Sequence, residues 1–225
     1  GYPDLMSLSE RRQLYLQRMG IQSWSERHLS PVDHTEGRGL PQSGESEWGS
    51  LDNQVLSCLQ CSLSTNRKQP VFGVGDKSAD WLFVGEAPGA EEDRLGLPFV
   101  GRAGKLLDAM LLAIGFERKE VYIANVLKCR PPENRDPMGE EVTRCLPFLF
   151  HQIALIKPKI IIAMGRFAAQ ALLETNLPIS QLRGHVHHYG DSSVPLVVTY
   201  HPAYLLRSPG EKRKAWQDLL LALEE

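Results

Sequence analysis

Short apolar runs alternate with helical stretches through the last two thirds of the chain. WLFVG at 81 to 85, VYIANV at 121 to 126, KIIIAMG at 159 to 165 and PLVVTY at 195 to 200 each predict a strand. Between the first two, Leu106, Leu107, Met110, Leu111 and Ile114 recur at helical spacing, and residues 139 to 156, 166 to 174 and 211 to 224 predict further helices. The unbroken Ile160, Ile161 and Ile162 predict a strand buried on both faces, as parallel strands are. Strands alternating with helices predict a three-layer α/β/α sandwich around a central, mostly parallel sheet. GHVHHYGDSSVPLVVTY, turning at Gly190 to Ser193, predicts a hairpin into the last strand and hence an antiparallel edge. No repeat of constant period is present.

The first third reads differently. Ser7 and Glu10 make a capping box ahead of an amphipathic stretch in SLSERRQLYLQRMG, predicting a short helix. Residues 30 to 50, rich in Gly, Pro, Ser and acid, have no apolar period and predict a mobile linker. The expected division is an N-terminal helix and flexible acidic linker over 1–54 and one folded domain over 55–225. The 225 residues, 42% hydrophobic, suffice for one well-buried domain. No stretch approaches the roughly 18 apolar residues of a membrane span, and residues 1 to 30 lack the apolar core of a secretory signal, so a soluble, cytoplasmic protein is expected. The net charge of −2 is uneven. Asp33, Glu36, Glu45, Glu47 and Asp52 have only Arg38 among them, whereas Arg94, Arg102, Lys105, Arg118, Lys128, Arg130 and Arg135 crowd the middle and Arg207 and Lys212 to Lys214 the end. An anion-binding face and an ordinary solvated surface both fit that distribution.

Ligands of open α/β sheets bind beyond the carboxyl ends of the strands. Three polar or glycine-rich segments fall at such ends: 85 to 104, 125 to 136 and 201 to 210. Glu86, Phe99, Asn125 and His201 are thereby selected as residues of one shared pocket. The four cysteines, Cys58, Cys61, Cys129 and Cys145, read as metal ligands rather than disulfides in a cytosolic chain. The two-residue gap between Cys58 and Cys61 lets one turn of chain offer two thiolates to one centre, and four thiolates suit either an iron–sulfur cluster or tetrahedral zinc.

GEAPGAEEDRLGLPFVGRAG, with Asn125 in ANVLKCRPPENRDP and HPAYLL at 201 to 206, closely resembles the family 4 uracil-DNA glycosylases, the iron–sulfur branch of that superfamily. The resemblance covers residues 55 to 222 and includes all four cysteines in order. It implies an enzyme that extrudes uracil from DNA and hydrolyses its N-glycosidic bond, leaving an abasic site in base excision repair. It favours a 4Fe–4S cluster on the four cysteines, with a structural role. The expected partner is uracil-containing DNA, single- or double-stranded, bound by a monomer in the cytoplasm as a nucleoid-associated activity.

By the same resemblance Phe99 stacks on the base and Asn125 reads it. An amide pairs with O4 and N3–H of uracil together, whereas cytosine reverses both groups and leaves buried atoms unpaired, at about 1–3 kcal/mol each. Glu92 matches a pocket position and is the candidate wall against the thymine methyl. Gly85 lets backbone approach the ligand, and Ala87 stands before Pro88 where family 1 enzymes carry an acid. His201 matches the catalytic histidine that stabilises negative charge at uracil O2, as a neutral ring or as a cation. Glu86 is the candidate to orient water or support the sugar cation. In HPAYLLRSPG, Leu205 or Leu206 is the expected wedge into the vacated stack, with Arg207 and the Ser208 amide on phosphate.

Two other readings remain at this stage. A DNA-crosslinking relative carries an Arg- and His-rich insertion after the second strand, and CRPPENRDP has no His. A non-catalytic iron–sulfur module that binds DNA or associates with a polymerase would keep the pocket without turnover.

Overall fold

The computed structural model describes residues 43 to 225, with the side chains of 43 to 46 left aside; the expected helix at Ser7 lies outside the described residues. Four strands run parallel at the centre: β2 (Trp81–Gly85), β3 (Tyr122–Asn125), β4 (Ile160–Met164) and β6 (Pro195–Thr199). The short β1 (Val74–Gly75) and β5 (Val186–His188) pair antiparallel at the two edges, giving the order β1-β3-β2-β4-β6-β5. The expected sandwich and the hairpin into β6 are both present.

Alternation along the strands divides the core. Leu82, Val84, Ile161, Ala163, Leu196 and Val198 face one layer with Trp48, Leu149, Ile153, Ala168 and Leu172. That layer is α1 (Ser43–Leu56), α5 (Gly139–Ile156) and α6 (Arg166–Leu173). Phe83, Ile123, Ile160, Ile162 and Val197 face the other, formed by Leu107 and Leu111 of α4 (Arg102–Ala113) and Leu219 and Ala222 of α9 (Lys212–Ala222). The remaining short helices are α2 (Leu63–Asn66), α3 (Ala90–Leu95), α7 (Ile179–Leu182) and α8 (Pro202–Arg207).

The linker expectation needs correction over residues 43 to 54. These form most of α1, because Trp48, Leu51 and Val55 recur at helical spacing and are each at most 6% exposed. Three apolar residues in a polar stretch left little period to see. Among the described residues no helix is long and apolar enough to cross a membrane.

Register sets the functional end of the sheet. Gly85 pairs with Asn125 at the ends of β2 and β3, and Met164 with Thr199 at the ends of β4 and β6. Four neighbouring parallel strands therefore release their chains at one rim.

Candidate active site

A cavity of about 760 Å³ opens at that rim, and Glu86, Phe99, Asn125 and His201 all line it. The convergence expected from the strand ends is thus present. Its inner end is built by the Gly85 and Phe99 loops. A Cβ on Gly85 would lie 2.4 Å from Asn125 Oδ1 and 2.6 Å from Phe99 Cζ, so only glycine admits both side chains there.

Phe99 is 5% exposed and holds a left-handed backbone, φ 52°, which an aromatic residue adopts only under constraint. Charged groups clamp it from two directions. Arg118 donates to the Pro98 carbonyl and, at 3.0 Å, to the Phe99 carbonyl, and pairs with Asp108 at 2.9 Å. Glu92 Oε1 accepts from the amides of Val100 at 2.9 Å and Gly101 at 3.0 Å, and its Oε2 from Gly89 at 3.1 Å. The Glu92 carboxylate is therefore engaged by three backbone donors and binds the two halves of the loop together. It lines the cavity, but its oxygens serve the frame, which alters the wall role expected of it.

Asn125 is 2% exposed and its side-chain oxygen has no hydrogen-bond partner. A buried amide oxygen without a partner costs about 1–3 kcal/mol, so the site is arranged for a donor to arrive. The Asn125 carbonyl accepts from the fully buried Lys128 ammonium at 2.9 Å, which also donates to Gln152 at 2.6 Å and fixes the backbone that carries the amide.

His201 caps α8: its Nδ1 accepts the Ala203 amide at 3.1 Å. Burial, with help from Arg207 and against Glu92, lowers its pKa to about 4. The ring is neutral at ordinary pH, and with Nδ1 accepting, the proton sits on Nε2. Of the two expected forms, this environment favours the neutral donor. Its centroid lies 5.4 Å from that of Phe99, at 31° between planes. Gly165, with φ +93°, leaves 3.0 Å between a notional Cβ and His201 Cβ, so the turn from β4 into α6 passes close to His201.

Glu86 is half-buried, and burial followed by the charge of Asp136 raises its pKa to about 7, against Arg166 and Arg207. Ala87 also lines the cavity and brings no acid. The DNA-contact expectations fare less evenly. Leu205 is 1% exposed, packed under α8, and is not available as a wedge; Leu206 is half-buried. The Ser208 amide donates to Tyr204 O at 2.8 Å to close α8 and so is not free for phosphate. Arg207 is exposed and lines the cavity. Sequence reasoning missed Arg118, whose position 19 residues beyond Phe99 carries no signal. It also missed Tyr200 and Tyr204, which their four-residue spacing around His201 advertises.

The four cysteines border one small cavity between the end of α1, the segment before β1 and α5. Among the described residues no three His, Cys, Asp or Glu form a group that could hold a metal ion. Arg67 donates to Cys129 Sγ at 3.0 Å and the Lys128 amide to Cys145 Sγ at 3.1 Å. Donors aimed at sulfur suit thiolates, yet burial pushes the bare Cys145 thiol up to about 12, with Lys128 opposing. Bare, these sulfurs rest as protonated thiols; a thiolate-ligated cluster would be compatible with four cysteines and the donors that face two of them.

A doubly wound sheet with an unsatisfied amide, a flat ring and a neutral imidazole around one slot defines a protein that grips a small, flat, polar ring. The model of the uracil DNA glycosylase superfamily matches residues 72–220. Among similar proteins, the type-4 uracil-DNA glycosylase of Archaeoglobus fulgidus is 46% identical over 71% of this chain and 85% of its own. That of Pyrobaculum aerophilum is 42% identical over 76% and 90%, and that of Thermotoga maritima 43% over 70% and 82%. The chain belongs to the uracil DNA glycosylase superfamily, in its type-4 branch.

Proposed function

We propose that this chain removes uracil from DNA by hydrolysing its N-glycosidic bond, working as a monomer in the cytoplasm. The observation that carries the reading is the partnerless side-chain oxygen of Asn125, 2% exposed, which meets the Phe99 ring over Gly85 in the cavity that His201 also lines. The amide pairs with one edge of the extruded base, and Phe99 lies against its face. As the bond to the sugar lengthens, negative charge grows on uracil O2 and His201 Nε2–H donates to it more strongly than in the ground state. Glu86, ionised, balances the positive sugar and orients the water. The methyl of thymine is refused by volume in the slot that Glu92 holds narrow by its three backbone bonds.

Cys58, Cys61, Cys129 and Cys145 would hold a 4Fe–4S cluster. Its contribution when bound is to tie the segment after α1 to the loop after β3 and to α5. The chain's own residues complete the tie, with Arg67 on Cys129 and on the carbonyls of Leu56 and Cys58. The purified protein is expected to be straw-brown, with broad visible absorption and iron rather than zinc by elemental analysis. Cys145→Ser should bleach it and lower its thermal midpoint. A colourless, zinc-bearing wild-type protein would remove the cluster from this reading.

Incubation with a single-uracil oligonucleotide followed by alkali should cleave the strand at the uracil; retention without scission would leave a binder instead. The pH profile tests Glu86. Its carboxylate is the working form and its pKa is raised to about 7, so kcat/KM should be full above that value and fall about tenfold per unit below it. Glu86→Gln should lower activity and abolish that limb. His201, with its pKa near 4, contributes no change in this range. A limb that persists in Glu86→Gln would reassign it.

A further inference from the structure

We propose a second binding shelf in the same cavity, where Tyr204, backed by Tyr200, stacks a nucleobase of single-stranded DNA next to the extruded nucleotide. The proposal rests on the uracil-excision reading and adds a substrate preference to it. The cavity, at about 760 Å³, is sized for a drug-like ligand and is far larger than one pyrimidine ring. Phe99, Asn125 and His201 account for its inner end only. Arg166, Phe167, Tyr200 and Tyr204 also line the cavity, and of these only Arg166 bears on the excision chemistry, through its charge near Glu86.

Tyr204 is 37% exposed although it is a large aromatic at the mouth of a site. Its ring packs against Tyr200 at 5.0 Å between centroids and 40° between planes. Tyr200 is fixed in turn: the Arg183 guanidinium stands 5.2 Å over its ring and is held by Asp218 at 2.8 Å. A ring supported in this way offers a rigid flat face at little entropic cost. The leucine beside it cannot do the same, because Leu205 points into the core at 1% exposure.

Charge around the shelf favours a polyanion with a stacked base. Arg166 and Arg207 are exposed at the cavity, and Arg166 lies 4.4 Å over the Phe167 ring. Asp136 pairs with Arg166 at 3.1 Å and half-buried Glu86 stands nearby, so the field is mixed and the aromatic face supplies the specificity. The nucleotide adjoining the extruded one is tethered to it by a single phosphodiester, which places its base within reach. In a duplex that neighbour is paired and stacked, whereas in a single strand it is free to turn onto a protein ring.

The test uses the full chain and an oligonucleotide with 2-aminopurine beside a 2′-fluorinated deoxyuridine, which resists cleavage. Stacking on Tyr204 should quench the 2-aminopurine in single strands, and Tyr204→Ala should lose the quenching while Tyr204→Trp keeps it. On cleavable uracil substrates Tyr204→Ala should lower the ratio of single-strand to duplex kcat/KM about tenfold, with Tyr204→Trp restoring it. Circular dichroism melting confirms that both variants are folded. Quenching that survives in Tyr204→Ala, or equal losses on both substrates, would overturn the shelf. If the wild-type protein excises uracil from neither strand the glycosylase reading fails, while the quenching still decides the shelf.

Discussion

His201→Ala should leave a folded protein whose kcat for uracil excision is about 10²–10³-fold below wild type, the usual cost of losing one preorganised donor to a developing anion. The reason lies in how the ring is held. The Ala203 amide occupies Nδ1, so Nε2–H is the one donor the ring offers and it is neutral at working pH. Because the donor acts on charge that exists only as the bond breaks, kcat should fall far more than KM rises. His201→Asn, able to donate but shorter, should recover part of the loss. Single-turnover rates with saturating enzyme check this directly, and an unaltered rate in His201→Ala would remove the ring from the chemistry. The linkage to folding has a definite sign. The folded protein resists protonation of His201 below its ordinary value, so stability due to this residue is full above pH 6.5 and declines as pH falls toward 4.

The second large effect is expected from one added methyl group. Gly85→Ala places a carbon 2.4 Å from Asn125 Oδ1 and 2.6 Å from Phe99 Cζ, closer than atoms tolerate. Neither neighbour yields freely, since Asn125 is buried and its carbonyl is held by Lys128, and the Phe99 backbone is clamped by Arg118 and Glu92. Displacing either by about 1 Å costs on the order of 10²-fold in rate, and here both must shift. Overpacking of this kind costs about 1–3 kcal/mol of stability, so the variant should fold with a lowered midpoint and be nearly inactive. Wild-type excision rates in Gly85→Ala would show that the Asn125 and Phe99 positions matter less than their geometry suggests.

The sheet is legible because each central strand carries a short apolar run rich in β-branched or aromatic residues, such as Trp81 to Val84 and Ile160 to Ile162, between breaks, and α5 is recoverable at its observed bounds from its long periodic pattern. β1, two residues long, has no period to detect. α3 gives no helical signal of its own, because AEEDRL carries one large apolar residue in a charged turn, and its role, to aim Glu92 at three amides, is tertiary. At the site, Glu86, Phe99, Asn125 and His201, four of the residues that meet the cavity, were legible by motif and by strand end. The residues that hold them were not. Arg118 reaches Phe99 from a turn that sequence spacing does not relate to it, and Lys128 beside Cys129 carries no sequence signal that its ammonium turns inward to the Asn125 carbonyl. Leu205 turns inward where the sequence leaves it open, because exposure on a six-residue helix depends on which way the helix is rolled, and the pattern PAYLLR allows either leucine or the tyrosine outward.

The direct pairing of Gly85 with Asn125 across adjacent parallel strands makes one residue the mould and the other the casting. Evolution cannot then edit the two independently. A side chain gained at the first must be matched by a shorter or rotated one at the second, and a related protein with a different residue at both is the natural place to look for a changed base preference.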